Sequence, residues 1–107
     1  MAKQRQLFRI SIDRTGEVRR GNETLTCSVV DLTEKGVRLG IDGTFHVGET
    51  LGLRFHLTDA DLIDCVIEVT HHRPPHLGAV IVRMAPDQEA RLSRFIDELN
   101  ALNMTGF

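Results

Sequence analysis

The sequence contains no tryptophan and no tyrosine, and its aromatic fraction is only 5%, all of it phenylalanine. A core made from it is mostly aliphatic. The five phenylalanines fall mostly on core-facing positions, which leaves no row of exposed rings for stacking single-stranded nucleic acid. Cysteine is also scarce: Cys27 and Cys65 lie far apart, form no CxxC pair, and read as free buried thiols of a reducing compartment rather than a disulfide. No apolar run approaches the length of a membrane span, and the stretch MAKQRQLFRI has neither an apolar core region nor a small-residue cleavage site. An excess of charge of one sign is lacking as well. The 13 lysines and arginines face 15 acidic residues, for a net charge of -2, so bulk charge gives no long-range attraction to DNA or to an acidic membrane. There is no P-loop, no HExxH and no nucleophile elbow, and Asp59, Asp61 and Asp64 read as a solvated turn and strand edge. These absences argue against an enzyme.

What is present fits one domain with one core: 107 residues, 41% hydrophobic and 26% charged, with no internal repeat and no low-complexity linker. Residues 1–9 are polar and basic and are expected to be a flexible segment. Phe8, Ile10 and Ile12 alternate with Arg9, Ser11 and Asp13, which predicts a half-buried strand over 8–14, with a bulge at Thr15-Gly16 before it resumes through Val18. A hairpin turn at Arg20–Glu23 leads to a second strand at 24–32. Val37, Leu39 and Ile41 mark a third strand, Leu51, Leu53, Phe55 and Leu57 a fourth, 62–72 a fifth and 77–84 a sixth, with Arg73-Pro74-Pro75-His76 as a loop. Six strands at this spacing predict a small antiparallel barrel or sandwich over 10–85. The period then changes. Pro86, Asp87 and Glu89 suit a helix start, and Leu92, Phe95, Ile96, Leu99 and Leu102 follow at helical spacing, predicting one amphipathic helix over 86–102. Its apolar stripe either covers an open barrel end or meets a partner.

The cations are unevenly placed. Lys3, Arg5, Arg9, Arg14, Arg19 and Arg20 precede Gly21, and all but Lys3 and Lys35 of the basic residues are arginines, whose planar fork suits a phosphate or a guanine edge. Arg5 and Arg9, four residues apart just before the first strand, could grip a phosphate or the O6/N7 edge of a guanine, or could be a solvated tail. In Asp31-Leu32-Thr33-Glu34-Lys35-Gly36, Asp31 can accept from the N1–H and N2–H₂ groups of guanine. Thr33 can fix the turn through its hydroxyl, and Gly36 can adopt positive φ and admit a ligand closely. The same spacing also describes many hairpin turns. His71, His72 and His76 cluster around Pro74-Pro75. Adjacent strand residues point to opposite faces and no cysteine stands at ligand spacing, so these read as surface or rim histidines rather than a metal site.

An RxxxR before the first strand, followed by DxTxxG between the second and third, in a chain of six strands and a final helix, resembles the PilZ domain family over about Arg5 to Leu102. The resemblance implies an all-β fold with one C-terminal helix, a six-stranded antiparallel PilZ-like barrel. It also implies a non-catalytic bacterial receptor for cyclic di-GMP, with no cofactor. Carried over, Arg5 and Arg9 would hold guanine edges and phosphates, Asp31 would read a guanine, Thr33 would stand at the family's Ser/Ala position and Gly36 would let the ligand approach. Arg38, two residues on, would face the same ligand. Thr33 keeps the hydroxyl and adds a methyl group, which predicts some crowding. The expected mechanism is ligand-driven ordering of 1–9, read by a downstream protein partner in the cytoplasm. No nucleic acid polymer is expected to bind and no membrane insertion is expected, and the chain would be a monomer or weak dimer. The alternative is a protein-interaction adaptor on the same fold that does not bind nucleotide.

Overall fold

The computed structural model describes the backbone of residues 10–105 and the side chains of 10–101. Strands β1 (Ile10–Arg20), β2 (Glu23–Leu32), β3 (Gly36–Gly40), β4 (Thr50–His56), β5 (Leu62–Arg73) and β6 (His76–Met84) precede one helix, α1 (Pro86–Thr105). All pairings are antiparallel, and the strands close into a barrel in the order β1-β2-β3-β6-β5-β4. The six-stranded antiparallel barrel with a C-terminal helix expected from the sequence is the fold observed.

Period-two patterning drives this architecture. In β4, Leu51, Leu53 and Phe55 point inward and are buried, while Arg54 and His56 face water. Val18, Val29, Leu39, Leu53, Ile67 and Leu77 contribute fully buried side chains from every strand, so the barrel interior is one aliphatic core. Burial pushes the thiols of Cys27 and Cys65, both free, up to about 11 and about 12, which leaves them protonated and unreactive at neutral pH.

The helix covers the barrel end where β1, β3 and β5 begin. Leu92 and Ile96 are buried in the core, and Phe95 and Leu99 pack partly against it. Polar links fix its seat: Gln88 Oε1 accepts from the Asp64 amide at 2.8 Å, and Ser93 Oγ donates to Glu34 Oε2 at 3.0 Å. The apolar stripe thus covers an open end of the barrel. At the opposite end the loop between β3 and β4 inserts Phe45, which lies under the Arg20 guanidinium at 4.6 Å and meets the His72 ring edge-on. The seam between β1 and β4 pairs only Gly16–Arg19 with Gly52–Phe55. Asp64 clamps it, accepting from Arg19 at 3.2 Å and Arg54 at 3.1 Å. Burial alone would raise the Asp64 carboxyl, but the two guanidinium groups outweigh it and hold it below the usual range.

The bulge expected at Thr15-Gly16 is displaced. The β1–β2 register shifts between Ser11 and Arg14 instead. Gly16 stands in regular strand, where a Cβ would lie 2.9 Å from the Arg54 carbonyl oxygen and 3.1 Å from the Phe55 Cβ. The glycine marks close approach of two strands, a signal that looks the same in sequence as a bulge.

Candidate functional site

Thr33 closes the turn between β2 and β3. Its amide donates to the Gly36 carbonyl at 2.9 Å, while its Oγ1 accepts from the amides of Lys35 at 3.0 Å and Gly36 at 2.8 Å. One hydroxyl therefore satisfies two backbone donors that a tight turn would leave unpaired. Residues 34 and 35 are held so that the chain re-enters the sheet at Gly36.

Just before this turn, β2 carries an irregularity. Val29 pairs with Leu39 but Asp31 pairs with Arg38, so Val30 is an extra residue against β3. Val29 and Leu32 both point into the core, and the added residue between them turns Asp31 to the outer face. Asp31 is nevertheless only 4% exposed. Its Oδ2 lies 2.7 Å from Arg38 Nη2, and its Oδ1 accepts from Ser11 Oγ at 3.0 Å. A buried carboxylate is tolerable because it is paired and hydrogen-bonded. A carboxylate offers about four lone-pair directions, so several donors can share it.

Ladder register extends this arrangement. Ser11 of β1 stands opposite Asp31, Asp31 opposite Arg38, Arg38 opposite Gly78 of β6, and Gly78 opposite His71 of β5. A cavity of about 350 Å³ lies over this row, lined among others by Asp31, Thr33, Gly36, Arg38, His71 and Gly78. Four residues expected from the sequence thus share one concavity; Arg5 and Arg9 lie outside the described residues. Ser11 and Gly78 carry no signal of their own in the sequence, and His71, read there as a surface or rim histidine, is brought to this row only by the strand pairing. A second depression, of about 380 Å³, lies over β1 and β4, but its guanidinium, Arg54, is already committed to Asp64.

Gly36 departs from expectation. Positive φ occurs among the described residues only at Gly21, Gly43 and Gly48. What Gly36 requires is space: a Cβ there would sit 2.8 Å from the Ala79 carbonyl oxygen. Backbone of β6 cannot move aside as a flexible side chain can. Gly36→Ala is expected to destabilise the fold by about 1 to 3 kcal/mol, read as a lower denaturation midpoint in urea.

A family model described as PilZ domain matches residues 3–98. Among solved structures, the chain superposes on the PilZ domain of YcgR from Escherichia coli, solved with c-di-GMP, at a TM-score of 0.72 and 16% identity, covering 97% of this chain and 98% of that one. It matches the Bacillus subtilis inhibitor of motility MotI/DgrA at a TM-score of 0.78 and 16% identity, over 94% of this chain and 52% of the other. Longer YcgR in complex with c-di-GMP gives 0.77 and 19%, over 95% and 48%. The chain therefore spans about half the length of these two proteins. A search of curated sequences gave no match.

Proposed function

From the premise that this chain belongs to the PilZ domain family, we propose that it is a non-catalytic receptor for cyclic di-GMP in the bacterial cytoplasm. The observation that carries this reading is the nearly buried Asp31 carboxylate, held by Ser11 and Arg38 at a cavity beside the Thr33–Gly36 turn. The carboxylate accepts from the N1–H and N2–H₂ groups of a guanine, and no other nucleobase offers that donor pair on one edge. Thr33 holds the turn, Gly36 keeps the β3–β6 approach close, and Arg38 holds Asp31 while lending its outer face to the ligand. Arg5 and Arg9 pair with phosphates and guanine edges. Their placement is supported by covalent continuity: Arg9 is bonded to Ile10, and Ile10 pairs with Leu32, next to the turn.

Signalling follows from this placement. When Arg5 and Arg9 close on the nucleotide, the segment 1–9 orders against the barrel and a downstream protein partner reads the altered surface. No helix among the described residues is long and apolar enough to cross a membrane. Calorimetric titration with cyclic di-GMP tests the reading. Saturable heat at micromolar nucleotide is expected, and its absence under conditions where the barrel is folded would defeat the proposal.

A further inference from the structure

Resting on the receptor reading above, we infer that His71 is a ligand-binding residue on the far wall of the site, donating to a phosphodiester oxygen of the nucleotide, so that affinity rises as pH falls.

The placement of His71 is built in the same way as that of Asp31. Val69 pairs with Ala79, but His71 pairs with Gly78, so Thr70 is an extra residue in β5. Val69 points into the core and His72 packs inward against Phe45, while the bulge turns His71 out over the cavity. Two bulges, one on each side of the β3–β6 pair, therefore deliver one titratable side chain each to the same concavity. Gly78 between them leaves the path open: a Cβ there would meet the His71 Cβ at 3.3 Å. The His71 side chain is exposed and makes no hydrogen bond or ion pair to the described residues.

The chemistry of the two walls is complementary. Asp31 accepts hydrogen bonds; Arg38 and His71 donate them. A nucleotide whose guanine edge is read at Asp31 carries its phosphates away from that carboxylate. His71 stands three strands over, about 14 Å along the sheet, on the side lacking a buried acid. The carboxylate, guanidinium and imidazole groups on the surrounding elements are Glu23 and Asp31 on β2, Arg38 on β3, His76 and Arg83 on β6, Asp64, Glu68, His72 and Arg73 on β5, and Asp42, His46 and Glu49 in the β3–β4 loop, whose Gly48 amide donates to the Val69 carbonyl. Asp31 is engaged by Arg38 and Glu49 by Arg20. As a residue type, histidine gains its proton between about pH 8 and pH 5. An anion bound at the imidazole favours the protonated form, and linkage then requires tighter binding at lower pH.

The test is titration with cyclic di-GMP at about pH 8 and about pH 6, using the parent and His71→Gln, which keeps a neutral donor. Thermal melts verify that both are folded. The parent is expected to bind about fivefold tighter at the lower pH, the gain from converting a neutral to a charge-assisted hydrogen bond, and the Gln variant is expected to show no such change. A parent that binds with equal affinity at both values, or a Gln variant that keeps the parent's slope, overturns the inference and leaves the receptor reading intact. A folded parent that binds at neither pH overturns both.

Discussion

Asp31→Ala is expected to weaken cyclic di-GMP binding by about a hundredfold or more. Two hydrogen bonds from a guanine edge to an ionised carboxylate contribute about 1.5 to 3 kcal/mol each, and both vanish with the side chain. The ligand's donors are then left facing an apolar methyl in a concavity, which adds desolvation to the loss. The fold should suffer much less. Arg38 is 46% exposed at its side chain, so its guanidinium is rehydrated when its partner is removed, and the Ser11 hydroxyl lies at an exposed position. A stability cost of about 1 kcal/mol follows. The pairing of a large binding loss with a near-parental melting temperature is the signature sought. An Ala variant that binds within about threefold of the parent would place guanine recognition elsewhere.

Leu92→Ala carries the largest expected effect on stability. Leu92 is 1% exposed and, with Ile96, forms the plug that α1 inserts into the barrel end. Truncating a leucine so buried costs about 2 to 5 kcal/mol, because the cavity it leaves closes only in part. For a domain near this size each kcal/mol lowers Tm by about 4 to 8 °C, so a drop of more than about 10 °C is expected in a calorimetric scan. A matched change on the outer side of the helix, Glu98→Ala, should shift Tm by no more than about 2 °C, since Glu98 is exposed. Similar melting of the two variants would show that the helix does not contribute to the core.

The two variants probe features of unequal legibility. Leu92 and Ile96 stand out in the chain because their spacing matches a helix and a small barrel has an open end for such a stripe to cover. Leu51, Leu53 and Phe55 are equally plain, since strict alternation has one structural meaning. Asp31 and Thr33 could be placed in a turn by local chemistry. The outward aim of Asp31, and its partners Ser11 and Arg38, could not. A bulge is a mismatch between two strands, so the extra residue at Val30 or Thr70 exists only relative to its partners across the ladder. Simple alternation puts His71 and His72 on opposite faces, as observed, yet it is silent on which strand crosses beside Arg38. Gly16 and Gly36 illustrate the same limit. Each is a glycine because a neighbouring backbone comes close, and that neighbour is distant in sequence.

The order of the strands around the barrel also bears on how fast the molecule can assemble. β1 and β2 form a local hairpin across Gly21-Asn22, and β5 and β6 form another. The β3–β6 pairing and the β1–β4 seam, by contrast, join segments from distant parts of the chain. Loop-closure entropy must be overcome before these two joints return any contact energy, so zipping along the chain cannot complete the barrel. Refolding in the millisecond-to-second range is the expected regime for such non-local pairing. The cavity floor depends on one of those late joints, since Arg38 meets Gly78 only through β3–β6 pairing. Ligand-binding competence should therefore emerge at the end of folding, after the hairpins and not with them.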